Sequence, residues 1–305
     1  MKLLKVFAAL LALALLVCAA PAFASGEASG SGEASDDLFA PMTFPDDAKI
    51  VSATGYSVYT KSPSSMQDAV IRATLYWDMT NDRVYAIRFL QPMLPFDDNG
   101  ISMGWACVTD EALRDTLKAA DALVEPSDGV CYAKYLSIGG IVWTGEPAAH
   151  PAMKTAVDYK AVIDGKTVTL NDHVRTPEGA EWYVDAAAQP VYFLTSDASG
   201  EPSGEPENSA MTYHITYKEN NGHGVYFWMS DILFPGNMEA IKEFVTENGF
   251  DYDYYADGGI TQNKDGFWQT PDAVSGATLE ETPTYLDLLK TLYDEIQAGN
   301  YVEEN

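Results

Sequence analysis

The stretch VIRATLYWDMTNDRVYAIRFL, residues 70–90, decides the fold class. Its two arms, Val70 to Trp77 and Val84 to Leu90, are rich in β-branched and aromatic residues. They flank a polar turn at Thr80, Asn81 and Asp82, the pattern of an antiparallel hairpin. The pattern recurs twice. Tyr159 to Ile163 and Lys166 to Leu170 flank Asp164-Gly165, a pair suited to the positive φ of a type I′ turn. Met211 to Tyr217 and Gly224 to Met229 flank Asn220, Asn221 and Gly222. Helical periodicity is scarcer and falls on Asp110 to Val124, on Met238 to Asn248 and on a last segment. There Tyr285, Leu288, Leu289, Leu292, Tyr293 and Ile296 share one stripe, with Pro283 suited to the first turn and Gly299 to the stop. The expected fold is α+β: antiparallel β-hairpins packed with a few helices. Hairpin followed by helix occurs twice, which is consistent with two related halves.

Composition narrows the partners. The chain of 305 residues is 47% hydrophobic and 21% charged, ordinary globular usage that predicts a folded core. It holds 45 Asp and Glu against 18 Lys and Arg, a formal charge of -27. Nucleic acid is excluded as a partner, because phosphate binding needs clustered Lys and Arg.

Met1 to Ala24, MKLLKVFAALLALALLVCAAPAFA, has a basic start at Lys2 and Lys5, an apolar run from Val6 to Val17 and the small-x-small site Ala22, Phe23, Ala24. This is the pattern of a secretory signal peptide over 1–24, too short an apolar run for a membrane anchor. Cys18 offers a lipoprotein alternative, although Val17 stands where a lipobox wants a small residue. Residues 25–45 begin SGEASGSGEASDD and read as a flexible Ser/Gly/Glu tether. Residues 46–195 read as a β-rich domain of unassigned role. Residues 196–208 are a linker or a surface insertion, and 209–305 form the last domain. After export only Cys107 and Cys131 remain; outside the cytoplasm the pair favours a disulfide over a metal site, the alternative being two buried thiols. His150, His173, His214 and His223 are scattered, with no metal-ligand spacing. Asp251, Asp253 and Asp257 are spaced only loosely like calcium ligands and read as a solvated acidic turn.

Directly before the last helix stands DAVSGAT, Asp272 to Thr278. Gly276 and Ala277 leave the backbone beside the Thr278 hydroxyl bare of side-chain bulk, and an anion there would lie beside the start of a helix, where unpaired N–H groups favour it. The competing reading makes Thr278 a helix cap, at capping-box spacing from Glu281.

DAVSGAT resembles the flavinylation motif of the FMN-binding domain family, which includes the C subunit of the sodium-pumping NADH:quinone oxidoreductase and the G subunit of Rnf-type complexes. Asp272, Ser275, Gly276 and Ala277 each match the pattern. The resemblance implies that Thr278 accepts FMN from FAD as a phosphoester, with a flavin transferase as one partner and a membrane or extracytoplasmic redox protein as the other. It implies extracytoplasmic electron transfer. Leu279, Glu280, Glu281 and Thr282 depart from the family's usual continuation. Phe267 and Trp268 stand near enough in sequence to stack on the flavin, or belong to the core. The rival function is a cofactor-free secreted binding or surface-interaction protein; no acid, base or nucleophile constellation marks a stand-alone reductase.

Overall fold

The computed structural model describes residues 40–58, 69–96, 104–148, 155–203, 206–218, 234–252, 260–262, 268–269, 278–279 and 282–305. The signal segment, most of the tether, the strand expected at Gly224 to Met229, Asp253, Asp257, Phe267 and the motif residues Asp272 to Ala277 lie outside them. The architecture is α+β with antiparallel sheets. The described residues belong to one compact unit, Ser31–Asn305.

The hairpin of residues 70–90 forms as β2 (Val70–Asp78) and β3 (Arg83–Leu90). Asp78 closes its turn, its Oδ1 accepting from the backbone N–H groups of Thr80 at 3.0 Å and Asn81 at 3.1 Å. β1 (Ile50–Val58) pairs along the whole of β2, and β15 (Val302–Glu303) pairs with β1, giving the order β15-β1-β2-β3. Period-2 alternation turns Val51, Ala53, Ile71, Ala73, Leu75, Trp77, Ile87 and Phe89 to one face. Against that face lie α4 (Phe234–Asn248) and α5 (Thr282–Gln297), which bury Ile241, Phe244, Val245, Leu288, Leu289, Leu292 and Ile296. Close approach of α5 needs glycine at position 55, where an added Cβ would lie 2.9 Å from a methyl of Leu292. The helical stripe on α5 is core, and Gly299, at φ +87, ends the helix as expected.

The larger sheet has the order β11-β10-β6-β7-β8-β9. Its strands are β6 (Tyr135–Ile138), β7 (Ile141–Pro147), β8 (Val157–Ile163), β9 (Lys166–Thr169), β10 (Val191–Leu194) and β11 (Met211–Tyr213). Asp164 and Gly165 join β8 to β9 with φ of 50° and 75°, the expected primed turn. A short helix α2 (Leu170–His173) leads into α3 (Pro177–Ala187), which the sequence reading missed. Its start is well marked: Thr176 caps it by accepting from Gly179 N–H at 3.0 Å, and Pro177 opens the first turn. The segment expected to be helical over Asp110 to Val124 is shorter, α1 (Glu111–Ala119), capped by Asp110. It gives way to the pair β4 (Leu123–Ser127) and β5 (Val130–Ala133).

The structure decides between alternatives that the sequence left open. Ser196 to Asn208 connects two paired strands, β10 and β11, with Ser196 bridging to Pro202, so it is an excursion within a hairpin. No disulfide joins Cys107 and Cys131. Cys107 stands opposite Tyr132 and Val108 N–H bonds to the Cys131 carbonyl at 2.7 Å; this offset of one residue sends the two sulfurs to opposite faces. The core uniting β1–β3 with α4 and α5 also draws on both sides of residues 196–208. Among the described residues, no helix is long and apolar enough to cross a membrane.

Candidate functional site

Most buried residues here are apolar, which makes the exceptions informative. Gln91, Asn237 and Thr282 are each 0% exposed, and Lys218 is 4% exposed. Gln91 gathers them. Its Oε1 accepts from the Tyr285 hydroxyl at 2.9 Å and its Nε2 lies 3.4 Å from Met238 Sδ. Its backbone carbonyl accepts from Lys218 N–H at 3.0 Å. Asn237 adjoins Met238 in the first turn of α4, and Thr282 sits one turn before Tyr285 on the same face of α5. The starts of two helices therefore meet the Gln91 side-chain amide, and the strand-like segment ending at Lys218 meets its backbone carbonyl.

The neighbouring backbone holds Gln91 in place. Pro92 bridges to Tyr217, and Met93 N–H bonds to the Thr216 carbonyl at 3.1 Å. From α3, Tyr183 donates its hydroxyl to the Met93 carbonyl at 2.6 Å, and Trp105, in the turn before α1, donates Nε1 to it at 2.9 Å. Burial of Tyr183 raises its pKa well above the usual phenol value, so it remains a donor. Gln91 thus lies where the two hydrophobic clusters adjoin, with Leu90 packed in one and Phe89 in the other.

Thr278 belongs to a small sheet of β12 (Thr261–Gln262), β13 (Trp268–Gln269) and β14 (Thr278–Leu279), in which it pairs with Gln269. The capping reading fails, because α5 starts at Thr282, beyond the expected box, and Thr278 is strand. Proline at 283 explains the late start: it belongs in a first turn and would break a helix begun four residues earlier. Of the expected site residues only Thr278 is described, and there the backbone alone; Asp272, Ser275, Gly276 and Ala277 lie outside the described residues.

A phosphate-bearing cofactor needs hydrogen-bond donors and positive charge. Among the described residues the buried side chains of Gln91, Lys218, Asn237 and Thr282 supply two amides, an ammonium and a hydroxyl, groups of the kind that an anionic ligand needs. Thr282 lies four positions after Thr278, a chain span of at most roughly 14 Å. A concavity among the described residues is of another kind: an open groove of about 600 Å3 along α3, lined by Glu178, Glu181, Trp182, Asp185, Gln189 and Gly139. Its three carboxylates repel phosphate. Burial first and Glu181 second raise the pKa of the nearby Tyr56 hydroxyl. Among the described residues no group of three or more His, Cys, Asp or Glu is placed to hold a metal ion.

Sequence reading missed the buried layer. Gln91, Lys218, Asn237 and Thr282 carry no motif, and only contact across the fold unites them. One signal existed: Lys218 ends the alternating run ITYK, Ile215 to Lys218, in a chain poor in cations. No protein-family model matches this chain, no curated protein matches it, and no solved structure matches it.

Proposed function

We propose that the protein is an exported flavoprotein that carries FMN esterified to Thr278 and passes electrons outside the cytoplasm. The observation that carries this reading is the run Asp272 to Thr278, whose last residue lies in a strand just ahead of α5. In a flavin transferase the Thr278 hydroxyl attacks the FMN phosphorus of FAD. The Oγ–P bond forms, the pyrophosphate P–O bond breaks, AMP leaves with the bridging oxygen, and the hydroxyl proton is released.

FMN supplies one- or two-electron chemistry, and the protein supplies its seat and its electrostatics. Covalency suits an exported carrier, since a ligand held at micromolar Kd, about -8 kcal/mol, is lost where its free concentration is low. Met1 to Ala24 supports export, with Cys18 the point of attachment if the product is a lipoprotein. The partners are then a flavin transferase and a membrane or extracytoplasmic redox protein. Co-expression with a flavin transferase tests the reading. The denatured wild-type band is expected to fluoresce and to gain the mass of FMN less water, while Thr278→Ala stays dark. An unmodified, colourless wild-type chain overturns it in favour of a cofactor-free binding protein.

A further inference from the structure

The sheet β15-β1-β2-β3 turns one face to α4 and α5 and the other away from them. On that second face the register sets Tyr56 opposite Arg72, Thr54 opposite Thr74 and Thr74 opposite Arg88, with Tyr76 next along β2. Arg72 and Arg88 are therefore diagonal neighbours, roughly 7–8 Å apart between Cα positions. Both are partly exposed. Arg72 hydrogen-bonds the Tyr56 hydroxyl. Burial raises the pKa of the Tyr76 hydroxyl and the charges of Arg88 and Arg72 pull it back, so both guanidinium groups lie within electrostatic reach of it. Thr54 and Thr74 share one hydrogen between their oxygens at 2.9 Å, which leaves one of the two hydroxyls a hydrogen to give.

The face is bounded. Phe44 covers one end, its ring 5.7 Å from Tyr76 and 5.8 Å from Tyr85. Glu181 and Asp185 of α3 stand at the other, where their charges help to raise the Tyr56 pKa. Glu304, on the β1 side, accepts from the Ser52 hydroxyl. Among the described residues neither Arg72 nor Arg88 forms an ion pair, in a chain where acidic residues outnumber basic ones 45 to 18. Like charges on neighbouring positions of one sheet face repel. Two guanidinium groups kept side by side with no carboxylate joined to them form a site that an anion completes.

We propose that Arg72 and Arg88 bind the phosphate group of a soluble ligand, with Thr74 and Tyr76 donating from between them. A guanidinium presents a planar fork of donors that matches two oxygens of an anion. Two forks and the hydroxyls beside them exceed what the two oxygens of one carboxylate accept, whereas a phosphate monoester offers three strong acceptors. The site shares no residue with Thr278 and stands whether or not that hydroxyl carries FMN.

Titration of the chain from Ser25 to Asn305 with inorganic phosphate tests this. The protein is labelled with 15N-arginine, and the Nε–H resonances of Arg72 and Arg88 are identified by their loss in Arg72→Lys and Arg88→Lys. Both are expected to move saturably with phosphate and to stay nearly still in chloride at matched ionic strength. Arg88→Gln is expected to weaken the phosphate response of Arg72 by about tenfold or more. Equal movement in chloride means screening alone and overturns the site, as does no movement in either salt. A phosphate response seen only when Glu27→Gln, Glu33→Gln, Asp36→Asn and Asp37→Asn are combined makes the chain's own acidic run the occupant and overturns the proposal. Vesicles containing phosphatidic acid separate the two sources of phosphate. The acidic chain is expected to stay in the supernatant; co-sedimentation that Arg88→Gln abolishes assigns the site to a lipid headgroup and overturns the soluble ligand.

Discussion

Tyr285 donates its hydroxyl hydrogen to Gln91 Oε1 at 2.9 Å, joining residues 194 apart in the chain. Both side chains are buried, and Phe89 packs edge-on against the Tyr285 ring with centroids 5.4 Å apart. Tyr285→Phe keeps the ring and deletes the donor beside a buried amide. The expected loss is about 1–3 kcal/mol in urea unfolding, with an unchanged m-value. A change below about 0.5 kcal/mol would mean that the pair is solvated and that Gln91 does not tie α5 to the sheet.

The same relationship bears on how the chain divides. Leu288, Leu289, Leu292 and Ile296 of α5 and Ile241 and Val245 of α4 bury their side chains against Val51, Ile71, Leu75 and Phe89. A fragment of residues 209–305 leaves that apolar face in water, at roughly 1.5–3 kcal/mol for each large side chain. It is expected to lack cooperative unfolding and protected amides. Residues 40–305 are expected to unfold cooperatively. A fragment 209–305 with a sharp thermal transition would show that the sheet β1–β3 is dispensable.

What was legible in the sequence follows from chain distance. The hairpin of residues 70–90, the Asp164-Gly165 turn and the stripe on α5 are specified by neighbours within a few residues, and each formed as read. Helix α3 escaped notice because Gly179 in its first turn lowers helix propensity, yet the structure requires it: a Cβ there would fall 1.9 Å from the His173 carbonyl oxygen. The union of β1–β3 with α4 and α5, the pairing of β15 with β1 and the layer around Gln91 are long-range facts. No local propensity encodes them, and the acidic, turn-rich run at residues 196–208 mimics a boundary. The capping alternative for Thr278 was decidable from Pro283, which places the first turn at Thr282.

Asp78 gives the fold a pH dependence with a definite sign. Its carboxylate is almost fully buried. It accepts from the Asn81 side-chain amide at 2.7 Å and from two backbone N–H groups, with Arg83 Nε at 3.5 Å. These bonds, the Asn81 side chain foremost, hold its pKa below the ordinary 3.8. A depressed carboxylate pKa stabilises fully above the unfolded value and loses that contribution as pH falls through the folded value. Asp78→Asn presents an amide to the Asn81 amide and removes the titration. Its destabilisation relative to wild type is expected to be largest at neutral pH and to shrink on acidification toward about pH 2. A destabilisation constant across that range, measured by urea midpoints, would place the acid sensitivity in other carboxylates.

Residues 302–305 cover the edge of the first strand. Val302 and Glu303 pair with Ser52 and Val51, and Glu304 N–H bonds to the Ile50 carbonyl at 3.0 Å. The Asn305 amide donates to the carbonyls of Pro45 at 2.9 Å and Ala48 at 2.7 Å, while its oxygen accepts from Ile50 N–H at 2.9 Å. Removing residues 302–305 deletes these bonds and uncovers the β1 edge, which then offers unpaired N–H and C=O groups to another chain. The expected result is a loss of about 1–3 kcal/mol together with concentration-dependent association in light scattering. The Lys49–Glu303 ion pair at 2.6 Å is not the cause: both groups are about half exposed, so Glu303→Gln is expected to leave stability and monomer content nearly unchanged. A truncated chain that stays monomeric and as stable as wild type would show that β15 is an ornament on β1, and that the edge is protected by its own twist.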